Sequence, residues 1–257
     1  MIRVVFLKRL ILMIQFFTSI PIKSESDIGS EDFGKALAFI PVVGLIIGII
    51  MGISYIILLH VFSVKISTTL VLIEYIFLTG GIHLDGLGDT FDGIFSNRTK
   101  DRILEIMRDS RVGTNAVLAI VSLLILNSVI LSEINSLYMV KILILFPVAG
   151  RVGSIIAASL SKYARSGEGM GKSFIDYCGI KELVMGVILY LIIFYLTNLY
   201  RGYIIMFFPI ATAIILIKFL SRKINGATGD VLGAVCELNQ TLFIMISYII
   251  LNYGGNL

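Results

Sequence analysis

Apolar stretches return along the whole chain, near residues 36–59, 66–84, 112–131, 137–160, 183–199, 203–219 and 238–253, and this constrains the fold more than any single motif. Crossing a hydrocarbon core takes about 20 apolar residues. Seven spans are therefore expected, with six as the fallback, because Asn239 and Gln240 shorten the apolar part of the last stretch. Composition agrees: 57% of the 257 residues are hydrophobic and only 15% are charged, too few to keep a soluble domain of this size in water. The expected fold is an all-α, polytopic membrane bundle with the lipid bilayer as its main solvent. No linker rich in Pro, Ser or charge divides the chain, so residues 1–257 read as one domain.

At the N-terminus, Arg3, Lys8 and Arg9 precede a short apolar run at 10–17, which imitates a secretory signal. No small-residue cleavage pattern follows, and the run is too short to span, so residues 1–20 are expected to be interfacial or re-entrant. Cys178 and Cys236 have the spacing of neither a disulfide framework nor a metal site and read as reduced packing residues.

Seven spans put the N-terminal segment and residues 83–111, 161–182 and 218–237 on one side of the membrane. Nearly all the Lys and Arg residues fall there, Lys23 included, whereas Lys65, Lys141 and Arg201 fall on the other. The crowding of positive charge makes the first side cytoplasmic, with the N-terminus cytoplasmic and the chain in the cell's inner membrane. The net charge of +4 is modest, and no nucleic-acid partner is expected. Gly44, Gly48 and Gly52, spaced by four, form a small-residue stripe for close helix packing. Glu74 and Arg151 lie inside spans, where they either pair, with each other among the options, or line a polar site.

Chemistry concentrates in residues 83–111. Residues 80–93 read Gly-Gly-Ile-His-Leu-Asp-Gly-Leu-Gly-Asp-Thr-Phe-Asp-Gly. On a helix turning about 100° per residue, Asp85, Asp89 and Asp92 fall within roughly 60° of one another. Three such carboxylates repel unless their pKa values rise or a cation sits between them. Oxygen-only donors favour Mg²⁺ or Mn²⁺ over zinc. The bland alternative is a solvated acidic face, yet Leu84, Leu87, Phe91 and Ile94 around it are apolar. Gly86, Gly88 and Gly93 serve either close approach of a substrate or tight helix packing.

Basic residues follow. Arg98, Arg102, Arg108 and Arg111 offer the planar paired donors that match phosphate oxygens, although arginines beside a span also meet lipid headgroups, and Arg98, Arg102, Asp101 and Glu105 have the spacing of ordinary helix-surface pairs. Two more polar patches share this side: a glycine-rich loop with Arg165 and Lys172, and a segment bearing Thr228, Asp230 and Glu237, the last two of which would share a helix face and supply further metal or hydroxyl contacts. His83 adjoins the acidic face, as a general base or as a supporting histidine.

The segment 80–93, with residues 102–113 (Arg-Ile-Leu-Glu-Ile-Met-Arg-Asp-Ser-Arg-Val-Gly), closely resembles the cobalamin synthase family, the adenosylcobinamide-GDP ribazoletransferases. The likeness extends to residues 15–21 (Gln-Phe-Phe-Thr-Ser-Ile-Pro), 163–165 (Tyr-Ala-Arg) and 228–234 (Thr-Gly-Asp-Val-Leu-Gly-Ala), so it runs nearly the length of the chain. It implies an integral membrane, Mg²⁺-dependent transferase that completes the cobalamin nucleotide loop. Its substrates would be adenosylcobinamide-GDP and α-ribazole or α-ribazole 5′-phosphate, and GMP would leave. Asp85, Asp89 and Asp92 would then hold the metal, Arg108 and Arg111 would stabilise the departing GMP, and Asp92, Asp109 or His83 would take the proton of the attacking hydroxyl. Glu74 departs from the pattern, since an apolar residue is expected there. The resemblance leaves the oligomeric state open.

Two alternatives compete. A CDP-alcohol phosphotransferase also uses several membrane-surface aspartates, but it needs an Ala-Arg pair after its first Asp-Gly and a wider spacing of its last two aspartates than Asp89 and Asp92 provide. A divalent cation transporter would place its acids near the middle of the bilayer, on broken helices.

Overall fold

The computed structural model describes residues 2–22, 29–167, 169–199 and 203–253. Lys23 and Arg201, both used above for orientation, lie outside the described residues. Among those described the chain is helical, with one isolated bridge between Tyr163 and Ala227 and no strand. In order the helices are α1 (Ile2–Phe17), α2 (Ser30–Ala36), which runs through a 3-10 turn into α3 (Ile40–Leu58), α4 (Val64–Thr79), α5 (Ile82–Ile94), α6 (Lys100–Ile106), α7 (Thr114–Glu133), α8 (Ser136–Ser159), α9 (Met170–Tyr177), α10 (Ile180–Leu196), α11 (Tyr203–Leu220) and α12 (Gly229–Tyr253).

Five of these segments are individually long and apolar enough to cross a membrane, and seven are if each of two bent pairs counts once. α8 is the central post. It is buried at every residue from 145 to 158, as expected of a helix apolar on all sides, and packs against α3, α10, α11 and α12. The glycine stripe of α3 meets it as expected: a Cβ on Gly48 would come within 2.2 Å of the Ile144 carbonyl oxygen, and one on Gly44 within 2.9 Å of Pro147's. α7 stands at the rim and turns Val117, Leu118, Val121, Ile125 and Val129 outward, an apolar face suited to lipid.

Two expectations about the spans need correction. The second was to run through residue 84, but α4 stops at Thr79. Gly80 and Gly81 adopt left-handed φ values of +59° and +69°, and α5 leaves at 88° to α4. Glycine alone enters that region without a Cβ penalty, so the Gly-Gly pair makes a corner of what looked like one apolar run. The second bent pair, α9 and α10, turns by 93°. The last span was expected to be short, yet α12 is continuous over 25 residues. Asn239 and Gln240 do not shorten it because both are fully buried: Asn239 Nδ2 donates to the Ala149 carbonyl at 2.7 Å, and Gln240 joins a polar network.

That network surrounds Arg151, which is fully buried. Its Nη1 donates to Gln240 Oε1 at 2.7 Å and to the Tyr75 hydroxyl at 3.1 Å. Tyr75 donates to Glu237 Oε1 at 2.6 Å, and Gln240 Nε2 donates to Glu237 Oε2 at 3.0 Å. Arg151 is thus joined to Glu237 through shared partners, while Glu74 stands apart and accepts from the Ser54 hydroxyl at 2.7 Å.

Candidate active site

α5, turned by 88° from α4, packs on the beginnings of α7 and α12 at the end of the bundle. Its glycines permit this. A Cβ at Gly86 would sit 2.8 Å from the Asp230 carbonyl oxygen, one at Gly88 3.1 Å from Ala116, and one at Gly93 2.4 Å from the Met107 side chain. Opposite, Gly233 of α12 lies against His83. Of the two readings of these glycines, helix packing is the one observed.

The crossing assembles charge. Asp85 and Asp89, one turn apart, stand near Asp230 from the first turn of α12. Burial, followed by the repulsion of Asp85 and Asp230, pushes the Asp89 carboxyl up to about 7. Arg165 partly offsets this; its Nη2 bonds Asp230 Oδ2 at 3.0 Å and the Met107 carbonyl at 3.3 Å. The Thr228 hydroxyl donates to the same Asp230 oxygen at 3.0 Å, so Thr228 positions an acid and is itself buried.

Asp92 has another occupation. Its two carboxylate oxygens accept from the backbone amides of Gly113, at 2.6 Å, and Ala116, at 3.0 Å, which caps the start of α7. The acidic set that meets at the bundle end is therefore Asp85, Asp89 and Asp230. Their oxygens do not close on one another as a trio: among the described residues the three-donor group lying within 4.8 Å is His83, Cys236 and Glu237. That group is buried beside the Arg151 guanidinium, whose positive charge opposes a metal there.

The remaining candidates divide by location. Arg108 and Arg165 line a cavity of about 480 Å³ together with Asp85, Asp230 and His83. Lys172 follows Gly171, which also lines it. Arg98 is exposed, Arg102 pairs with Glu105 at 2.6 Å on the surface of α6, and the Arg111 side chain is 88% exposed, so these three stand away from the cavity wall. Arg111 Nε grips Asp109 Oδ1 at 3.0 Å and holds that carboxyl down at about 2, which makes Asp109 a poor base. Glu237 sits in the core network at 1% exposure, out of reach of a substrate at the surface. His83 is 4% exposed, and burial, helped by the charge of Arg151, lowers its pKa and keeps the ring neutral.

The far wall of the cavity was not expected. It is built from Phe16 and Phe17 of α1, Leu37 after α2, and Phe174 of α9. α1 is drawn in by an Arg9 to Asp32 salt bridge at 2.5 Å, and Ser19 donates its amide to the Leu78 carbonyl at 2.7 Å. The motif at 15–21 hinted at Phe16 and Phe17, whereas nothing about Phe174 distinguishes it from ordinary packing.

The family model for cobalamin-5-phosphate synthase matches residues 9–248. A protein of Clostridium acetobutylicum named adenosylcobinamide-GDP ribazoletransferase is 72% identical over 97% of this chain and 99% of its own. Proteins of the same name from Acetivibrio thermocellus, at 52% identity over 95% and 98%, and from Caldanaerobacter subterraneus subsp. tengcongensis, at 41% over 94% and 98%, are also similar. No solved structure matches the chain.

Proposed function

The chain belongs to the cobalamin-5-phosphate synthase family, and from that premise we propose that it joins adenosylcobinamide-GDP to α-ribazole, or to α-ribazole 5′-phosphate. A free ribose hydroxyl of the acceptor, other than the 5′ position that carries phosphate in α-ribazole 5′-phosphate, gives up its proton and bonds to the phosphorus attached to cobinamide, the phosphoanhydride bond breaks, and GMP departs with its electron pair. The observation that carries this reading is 72% identity along almost the whole chain to a protein bearing the transferase's name. Acids held in α5 and the first turn of α12, at the end of the bundle, favour surface chemistry over an ion path through the spans.

The residues suit the reaction. Asp85, Asp89 and Asp230 present carboxylate oxygens, the donors a hard divalent cation prefers, and because they do not close into a three-donor cage, Mg²⁺ or Mn²⁺ would be held by one or two of them together with substrate phosphates. When bound, the cation supplies neutralisation of pyrophosphate charge and polarises the attacked phosphorus. Arg108 and Arg165 border the same cavity and offer planar donors to phosphate oxygens. Of the three candidates for taking the hydroxyl proton, His83 lines the cavity, whereas Asp92 is bonded to α7 and Asp109 to Arg111. The abundance of basic residues beside α5 and α6 supports a cytoplasmic site and N-terminus.

Membranes bearing the chain, supplied with adenosylcobinamide-GDP, α-ribazole and Mg²⁺, should release GMP and form the looped corrinoid. Asp89→Asn should insert normally and lose most turnover. Full turnover in that variant removes the metal role, and no GMP from the unaltered chain removes the reaction.

A further inference from the structure

We propose that the aromatic half of the cavity, walled by Phe17 and Phe174 and closed by His83, seats the planar bicyclic base of the ribazole acceptor. The ribose then points to Asp85, Asp230 and Arg165. This rests on the transferase reading above.

Four rings stand in a row. Phe33 and Phe174 have centroids 4.7 Å apart, Phe174 and Phe17 5.6 Å, and Phe17 and His83 5.3 Å, each pair inclined by 24°. The faces of Phe17 and Phe174 are taken by their neighbours in the row, and the two residues are 5% and 4% exposed, so the row turns ring edges to the cavity, and such edges meet the face of another flat ring favourably. The row ends at His83, two residues before Asp85, so the wall leads directly from aromatic edges to charged groups. His83 is 4% exposed, and its Nδ1 has no hydrogen-bond partner. An enclosed ring nitrogen without a partner is costly, and here it leaves hydrogen-bonding capacity unused on a residue that lines the cavity.

The choice of base follows from polarity. Guanine and the adenine of the adenosyl group, the other flat bases among the substrates, carry amino groups and several ring heteroatoms that need partners. Beside the phenylalanines the cavity is lined by Leu37, Ile82, Met170 and Leu232, with two hydroxyls, those of Tyr163 and Ser154, the latter already donating to the Leu232 carbonyl at 3.3 Å. Guanine or adenine placed there would lose more hydrogen bonds to water than two hydroxyls replace, whereas a benzimidazole has one free ring nitrogen and otherwise apolar edges. The aromatic half therefore selects the acceptor, and the guanine nucleotide is held from the polar half.

Steady-state kinetics on the full chain in lipid nanodiscs test this. Phe17→Leu and Phe174→Leu should raise KM for α-ribazole about tenfold, the scale of one lost aromatic contact, and leave KM for adenosylcobinamide-GDP unchanged. A rise confined to the GDP substrate, or no change in either, overturns the assignment. Because trimming a buried ring can impair folding, the unaltered chain is also photolabelled with an azidobenzimidazole riboside. Label should fall on peptides containing Phe17 or Phe174 and be blocked by α-ribazole but not by guanosine. Label elsewhere, or equal blocking by guanosine, overturns the subsite. Label at these rings without GMP release leaves the subsite standing and removes the reaction, whereas normal turnover with label elsewhere removes the subsite alone.

Discussion

Asp92 accepts from two amides of the first turn of α7, which gives its side chain a folding role apart from any chemistry. Asp92→Ala should cost about 1–2 kcal/mol, read as a lowered thermal unfolding midpoint in detergent. Gly113→Ala should be similarly harmful, because the new Cβ would lie 2.5 Å from an Asp92 oxygen. If both variants melt with the parent, the cap contributes nothing. Arg151 makes a second case. Removing it leaves Glu237 buried without the positive charge that its network carries, so Arg151→Leu should destabilise by about 3–5 kcal/mol, and adding Glu237→Gln should recover part of that loss. Resistance to unfolding in SDS compares the two; a double variant worse than the single one would show that the charges are not coupled. Cys178 is quieter. It is 2% exposed, and burial pushes its thiol up to about 12, so at pH 8 it stays protonated. The native chain should resist maleimide at pH 8 and react fully once unfolded; rapid labelling of the native chain contradicts that burial.

The corner between α4 and α5 is the element on which the site depends, since it delivers His83, Asp85 and Asp89 to the end of the bundle. Each of Gly80→Ala and Gly81→Ala forces a Cβ into left-handed backbone at about 1–2 kcal/mol. The pair should lower both the melting midpoint and turnover, and a double variant with parental turnover would show that the corner is unstrained. The helical class and the number of apolar segments were legible in the sequence, because lipid demands long apolar runs and little else imitates them. The corner was not read from it, since hydropathy is blind to φ and Gly-Gly between apolar residues scarcely changes an average. The acidic cluster was half legible. Asp85 and Asp89 follow from helical spacing, but Asp92 satisfies that spacing equally and differs only in having free amides of another helix beside it. Asp230 joined the cluster through a contact between α5 and α12 that no local pattern encodes. Phe174 escaped notice for the same reason: a phenylalanine in a short helix looks like packing until its partners are known.

For the whole molecule, seven crossings place the end of α12 across the membrane from the cavity, if the bent pairs each span once. Alkaline phosphatase fused after residue 253 should then be active and a fluorescent protein there dark; the opposite result indicates an even number of crossings. The cavity itself draws its walls from Phe16 and Phe17 in the first helix and from Asp230 and Gly233 in the twelfth. During synthesis, the opening helix must wait until the closing one has been made, and every shorter nascent chain lacks a wall. A ribosome that stalls before α12 thus leaves an inert fragment behind, with no half-working enzyme loose in the cell.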